Sequence, residues 1–162
     1  TGINFLDHML EQLSKHSGIN LSIRCIGDTH IDEHHTIEDV AIALGSSINE
    51  ALGDRKNINR YSSNFSVVMD ECQSDCLIDL SSRSYLKYQT SKLREYVGEL
   101  PTEMVKHFLK SLIENAKLTC HIKTKGENTH HIVESSFKAF ANAFGEAIKV
   151  NSSGSSSTKG CL

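Results

Sequence analysis

At 162 residues with a formal net charge of −3, the chain suits one domain with a sizeable core, and its charge argues against a nucleic-acid partner. No apolar run reaches membrane-spanning length, so no membrane partner is expected. Five scattered cysteines (Cys25, Cys72, Cys76, Cys120 and Cys161) suit a reducing compartment, with buried or idle thiols in a cytoplasmic protein.

FLDHMLEQLSKH spaces Phe5, Met9, Leu10 and Leu13 as one stripe and predicts a helix over 5–16, with Gly18 as its stop. INLSIRCI alternates and predicts a strand over 19–26; GDTHIDE is polar and reads as a loop or strand end. Val40, Ala43, Leu44, Ile48 and Leu52 share one side of a helix expected from about His34 to Leu52, ended by Gly53. GDRKNINR is a connection. NFSVVMDE, CLIDLSS and SYLKYQT read as three strands. Pro101, the only proline, suits the first turn of a helix running to about Ala116. LTCHIKTK predicts a strand over 118–125, GEN a turn, and 129–149 the last helix. SSGSSSTKG closes the chain as a low-complexity tail. The chain starts at Thr1, without methionine, directly before a strongly patterned segment, and an upstream piece is expected.

The two halves repeat one another. His8-x-Leu10-x-x-Leu13 matches His107-x-Leu109-x-x-Leu112. Each is followed by an alternating run, a loop, and His-His-x-x-Glu opening a long helix: His34, His35, Glu38 and His130, His131, Glu134. The order helix, strand, helix therefore occurs twice with the same polar residues, an internal duplication too long in period for a solenoid. Short spacings predict an α+β domain with helices on a mainly antiparallel sheet.

On a helix, residues i and i+4, and i and i+3, share a face. Each glutamate can therefore join either of its two histidines, while adjacent histidines point about 100° apart and suit different ions. With His8 and His107 the set is six histidines and two glutamates, dividing into two sites of three imidazoles and one carboxylate. Such sites suit a borderline divalent ion: Mn, Fe, Co or Zn. The motif is neither HExxH nor HxxEH, which removes the main support for a metalloprotease. His16 reads as a helix-end cation, His121 as a packed or surface strand residue, and His30 has a weak claim.

TGINFLDHMLEQL, GDTHIDEHHTIEDVAIALG, GDRKNINR, THHIVESSFKAFA and SSTKG closely resemble the imidazoleglycerol-phosphate dehydratase family over essentially the whole chain. MDECQSDCLIDLSSRSYLKY, VGELPTEMVKHF and HIKTKGEN look most like the dehydratase half of the bifunctional enterobacterial form, which is fused upstream to a histidinol-phosphate phosphatase domain. The resemblance implies duplicated βαββα-type half-domains, ribosomal S5 domain 2-like, with N-terminal strands missing. It implies one domain over 1–162, built of repeats at about 1–60 and 61–150, plus a phosphate-binding tail at 151–162. It also implies a cytoplasmic homo-oligomer, a 24-mer whose metal ligands come from neighbouring subunits.

By resemblance, two Mn2+ ions per active site take His8, His34, His35, Glu38, His107, His130, His131 and Glu134, the set reached from the repeat. The implied reaction is dehydration of D-erythro-imidazoleglycerol phosphate to imidazoleacetol phosphate, a hydro-lyase step of histidine biosynthesis, with His34, His35, Glu38, His130, His131 and Glu134 catalytic. No carbonyl acidifies the C–H that is lost, so the substrate's imidazole must act as the electron reservoir, through a diazafulvene-like intermediate. The other end is a small-molecule phosphate, assigned by resemblance to Arg60, Arg83, Ser157 and Lys159; Gln12 and Lys138 match positions near the substrate. Asp7, Asp32, Glu33 and Asp39 are candidates to orient the imidazole ligands.

Departures stand at Ser82-Arg83-Ser84, where the family usually has Gly-Arg-Pro, at Ser156 for a proline, and at Cys161 for a valine. A family glutamate of the N-terminal segment, assigned to proton transfer, has no match here. The alternatives are a metal-dependent hydrolase with the same ligands, for which no separate base is evident, and a non-catalytic metal-binding fragment.

Overall fold

The apolar stripes become four helices alongside a four-stranded main sheet. A computed structural model of the protein describes residues 1–151 and 157. Helix α1 (Asn4–Ser17) buries Phe5, Leu6, Met9, Leu10 and Leu13 and ends at Gly18, whose left-handed φ of 75° lets its N–H reach the Ser14 carbonyl. Helix α2 (His34–Leu52) buries Ile37, Val40, Ala41, Leu44 and Ile48. The Asp32 carboxylate accepts the otherwise unpaired His34 N–H at 2.9 Å.

Strands β1 (Phe65–Met69) and β2 (Cys72–Asp79) form an antiparallel hairpin turning at Asp70, Glu71. Strand β3 (Tyr85–Gln89) follows, then a two-residue pair, β4 (Tyr96–Val97) and β5 (Leu100–Pro101). Helix α3 (Glu103–Ala116), β6 (Thr119–Lys125) and α4 (Thr129–Ala147) complete the chain. The main sheet has the order β1-β2-β6-β3; β2 and β6 are antiparallel, whereas β3 runs parallel to β6. The architecture is thus α+β with a mainly antiparallel sheet.

Helix α4 covers the inner face of the sheet, burying Phe137, Phe140 and Phe144 in one core with Cys76, Ile78, Cys120 and Ile122. Each such side chain is worth roughly 1.5–3 kcal/mol when fully removed from water. Behind them lies a closed hydroxyl network. Ser74 meets Thr124 at 2.7 Å and Ser135 at 2.8 Å, and Thr124 meets Ser136 at 2.8 Å, so these buried polar groups pin the start of α4 to β2 and β6. The Cys76 and Cys120 sulfurs, 3.7 Å apart, are also buried.

Helix α1 packs along α4, and α2 along α3. Gly45 makes the second approach possible: a Cβ there would stand 2.5 Å from the Leu112 carbonyl oxygen.

Two expectations are corrected. Segment 19–26 shows the alternating burial of a strand, with Ile19, Leu21, Ile23 and Cys25 against the core, yet no strand among the described residues pairs with it. Period-two patterning specifies a buried face; a ladder also needs a second backbone alongside. Pro101 lies in β5, and α3 begins two residues later. Thr102 donates its N–H to the Glu95 carbonyl and its hydroxyl to that of Arg94, so the chain closes a small loop before turning helical.

Candidate metal centre

Each helix pair brings together polar residues from opposite halves of the chain. On α1 and α4, His8 Nε2 lies 3.4 Å and His130 Nε2 2.9 Å from the same Glu134 oxygen, Oε2. Glu134 is only 7% exposed at its side chain, and its other oxygen accepts from Lys138 Nζ at 2.7 Å. Burial pushes the Glu134 carboxyl up, but Lys138, His130 and His8 outweigh it and hold it below its ordinary value. On α2 and α3, His107 Nε2 lies 3.1 Å from Glu38 Oε1, and the His34 and His107 rings are 4.7 Å apart. In each trio the ligand atoms fall within 4.8 Å of one another. Imidazole and carboxylate donors at that spacing fit a borderline divalent ion.

Within one chain these two groups each hold two imidazoles and one carboxylate, one imidazole short of the expected division, and a third cluster joins Glu71, Cys72 and His131. His35 and His131 point elsewhere because neighbours on a helix diverge by about 100°. His35 Nδ1 is 2.8 Å from Asp28 Oδ2. His131 Nδ1 is 2.9 Å from Glu71 Oε2. Glu71 Oε1 accepts the Asn128 N–H at 2.8 Å and the Cys72 thiol at 3.2 Å. These bonds hold the Glu71 carboxyl far below its ordinary value, the His131 contact contributing most. The same contacts raise His131, and Asp28 raises His35.

Neither Asp28 nor Glu71 is legible as a ring partner from helical spacing: one lies seven residues from its histidine in a loop, the other sixty residues away in a hairpin turn. Of the carboxylates singled out from sequence, Asp7 accepts from Thr1 and Asp32 from the His34 N–H, while Asp32 and Asp39 act on His35 only through space.

Gln12 lies one turn beyond His8, with Oε1 3.2 Å from His16 Nε2. His16 is lowered by burial and by the charges of Lys138 and Lys15. Arg60 and Arg83 converge on the end of β2. Arg60 Nε is 2.8 Å from Asp79 Oδ1 and its guanidinium lies 4.5 Å from the Tyr61 ring centre; the exposed Arg83 is 3.9 Å from Asp79 Oδ2. Hydrogen bonding to Asp79 raises Arg60 further. Ser157 is half-buried, Lys159 lies outside the described residues, and His30 and His121 are exposed.

Helices on one face of a mixed sheet, carrying two imidazole–carboxylate groups that each join opposite halves, define an α+β protein with paired candidate metal centres. The family model for imidazoleglycerol-phosphate dehydratase matches residues 1–144. The imidazoleglycerol-phosphate dehydratase of Staphylococcus aureus superposes with a TM-score of 0.87 at 39% identity, over 93% of this chain and 85% of that one. That of Pyrococcus furiosus, in complex with (S)-C348, gives 0.79 at 30% identity, over 100% and 88%. The chain belongs to the imidazoleglycerol-phosphate dehydratase family. It is also 50% identical over its whole length to the histidine biosynthesis bifunctional protein HisB of Baumannia cicadellinicola, spanning 45% of that protein. The corresponding values for the Actinobacillus pleuropneumoniae protein are 45% and 44%. The chain thus spans about half the length of these curated relatives. Among the described residues, no helix is long and apolar enough to cross a membrane.

Proposed function

We propose that the protein dehydrates imidazoleglycerol phosphate to imidazoleacetol phosphate in histidine biosynthesis, as a cytoplasmic manganese-dependent hydro-lyase. The observation that carries this reading is the pair of His–His–Glu trios, each built across the two halves, in a chain of this family. The two repeats then correspond to about 1–60 and 61–150, with 151–162 as a phosphate-binding tail. A phosphatase domain upstream is consistent with the bifunctional relatives.

His8, His130 and Glu134 would hold one ion, and His34, Glu38 and His107 the other; His35 and His131 would serve ions of a neighbouring copy in a large homo-oligomer. When bound, the ions act as Lewis acids and as a template for the substrate's imidazole ring. The chain's own residues supply the rest. Lys138 keeps Glu134 ionised inside the fold. Gln12, on the same face as His8, offers an amide to the polar end of the substrate. Arg60 and Arg83, with Ser157 and Lys159, receive the phosphate; Asp79 holds the Arg60 fork in place while Arg83 stays exposed to a ligand.

The test is turnover of imidazoleglycerol phosphate with added Mn2+, following imidazoleacetol phosphate. His34→Ala is expected to lower turnover at least about 100-fold, the scale of losing a ligand or a general acid–base group. Absence of turnover at every metal loading, in this chain and in one extended upstream to the length of its relatives, would overturn the reading.

A further inference from the structure

Of the six motif histidines, His35 and His131 lie outside the two His–His–Glu trios, and both are held the same way. His35 and His131 each meet a carboxylate through Nδ1, at 2.8 and 2.9 Å. An ionised carboxylate can only accept, so in each contact Nδ1 carries the proton and, in the neutral ring, Nε2 keeps its lone pair. The partner of His34 and that of His130 are different: those rings face the trios of their own chain.

We propose that Asp28 and Glu71 are positioning residues, each fixing the tautomer and direction of one histidine so that Nε2 is the nitrogen offered to an ion. This rests on the metal-dependent reading above. The two carboxylates come from unrelated places. Asp28 follows the extended segment 19–26, whereas Glu71 sits in the β1–β2 turn. The sequence repeat therefore extends to the ligands and not to what orients them.

The anchoring is unequal as well. Glu71 is tied to the start of α4 through the Asn128 N–H at 2.8 Å, and Asn128 itself caps that helix by accepting the His130 N–H at 2.9 Å. One short chain of contacts thus joins the hairpin turn, the helix start and the His131 ring. The Cys72 thiol and the Glu127 N–H donate to the same Glu71 oxygen, at 3.2 and 3.4 Å. Asp28 stands in a loop whose backbone is tied by the Ile31 N–H to its own carbonyl. The His131 nitrogen is accordingly the more rigidly presented of the two.

Glu71→Gln tests the assignment with little change of shape. One glutamine atom must face the Asn128 N–H and the other His131 Nδ1. Keeping the Asn128 bond turns the amide NH2 toward Nδ1, which forces the proton onto Nε2 and removes the lone pair an ion needs. Mn2+ titration should show one class of sites weakened about 10–100-fold, the usual scale for losing a carboxylate behind a metal-bound histidine. Asp28→Asn should weaken the other class, and less. In the metal-free chain, 15N NMR of His131 should show Nδ1–H in the unaltered protein and Nε2–H in Glu71→Gln. Melting of the metal-free variants, read alongside, separates this from unfolding. Wild-type Mn2+ affinity in both variants, or an unaltered His131 tautomer in Glu71→Gln, would overturn the positioning role. Failure of the unaltered chain to bind Mn2+ at all, with the expected tautomers present, would remove the metal reading instead and leave these contacts structural.

Discussion

Gly45→Ala sets two known effects against each other at the place where α2 meets α3. In an isolated helix the change stabilises by about 1 kcal/mol. Here the new methyl would stand 2.5 Å from the Leu112 carbonyl oxygen, 2.9 Å from Asn115 Cβ and 3.1 Å from the Ala116 nitrogen. Two of those atoms are backbone and cannot rotate away. Reaching ordinary contact at 3.4 Å needs the helices to separate locally by 0.9 Å, the difference between the two distances. Overpacking of this kind costs about 1–3 kcal/mol, toward the upper end against backbone. The net expectation is a loss of about 1–2 kcal/mol, or about 2–8 °C of melting temperature in a chain of this size. The same displacement reaches the site. Gly45 lies about 10 Å along α2 from Glu38, and Leu112 about 7.5 Å along α3 from His107. The Glu38–His107 separation of 3.1 Å would widen by a substantial part of that shift, while metal coordination tolerates only about 0.2 Å. Calorimetric melting of the metal-free chain and Mn2+ titration of the same sample are the assays. A variant that melts at or above the parent and takes up Mn2+ equally would refute the reasoning.

Arg55 donates to the Lys117 carbonyl at 2.6 Å, to the Ala116 carbonyl at 2.8 Å and to Asn49 Oδ1 at 2.8 Å, closing the C-terminus of α3. Arg55→Ala should cost about 2–3 kcal/mol, read from the urea midpoint, because it strands buried carbonyls; Arg55→Lys, with no planar fork, should recover little of it. Lys117 is held at a left-handed φ of 52°, so Lys117→Gly should raise stability by about 0.5–1 kcal/mol in the same measurement. The Glu71–His131 pair has a definite pH window in the metal-free chain. Glu71 is lowered from its ordinary 4.5, so its contribution is full above that value and lost as pH falls through the folded one. His131 is raised from 6.5, so its contribution is full below that value and lost as pH rises through the folded one. The stability gap between the parent and Glu71→Gln should therefore be widest between pH 4.5 and 6.5 and shrink on both sides, as followed by unfolding across pH.

Local physics accounts for the parts that were legible. The stripe Phe5, Met9, Leu10, Leu13 and that of α2 repeat at the helical period, and both helices lie within a residue or two of expectation. The hairpin strands and β6 follow from alternation and from β-branched and thiol side chains that face α4. His34 with Glu38 and His130 with Glu134 share a face because the helix repeats every 3.6 residues, and each pair does lie in one trio.

Other features arise only when distant backbones meet. Segment 19–26 has the burial of a strand without its ladder, since alternation encodes a face and no particular neighbour. The sequence determined which residues carry imidazole and carboxylate, on which helices, and in two copies. The tertiary structure decided that His8 joins Glu134 across 126 positions and His107 joins Glu38 across 69, and that His35 and His131 turn instead to Asp28 and Glu71. The physical reason is range: periodicity reports each helix's own faces, whereas the choice of facing helix follows from how α4 beds on the sheet and how closely Gly45 lets α2 approach α3.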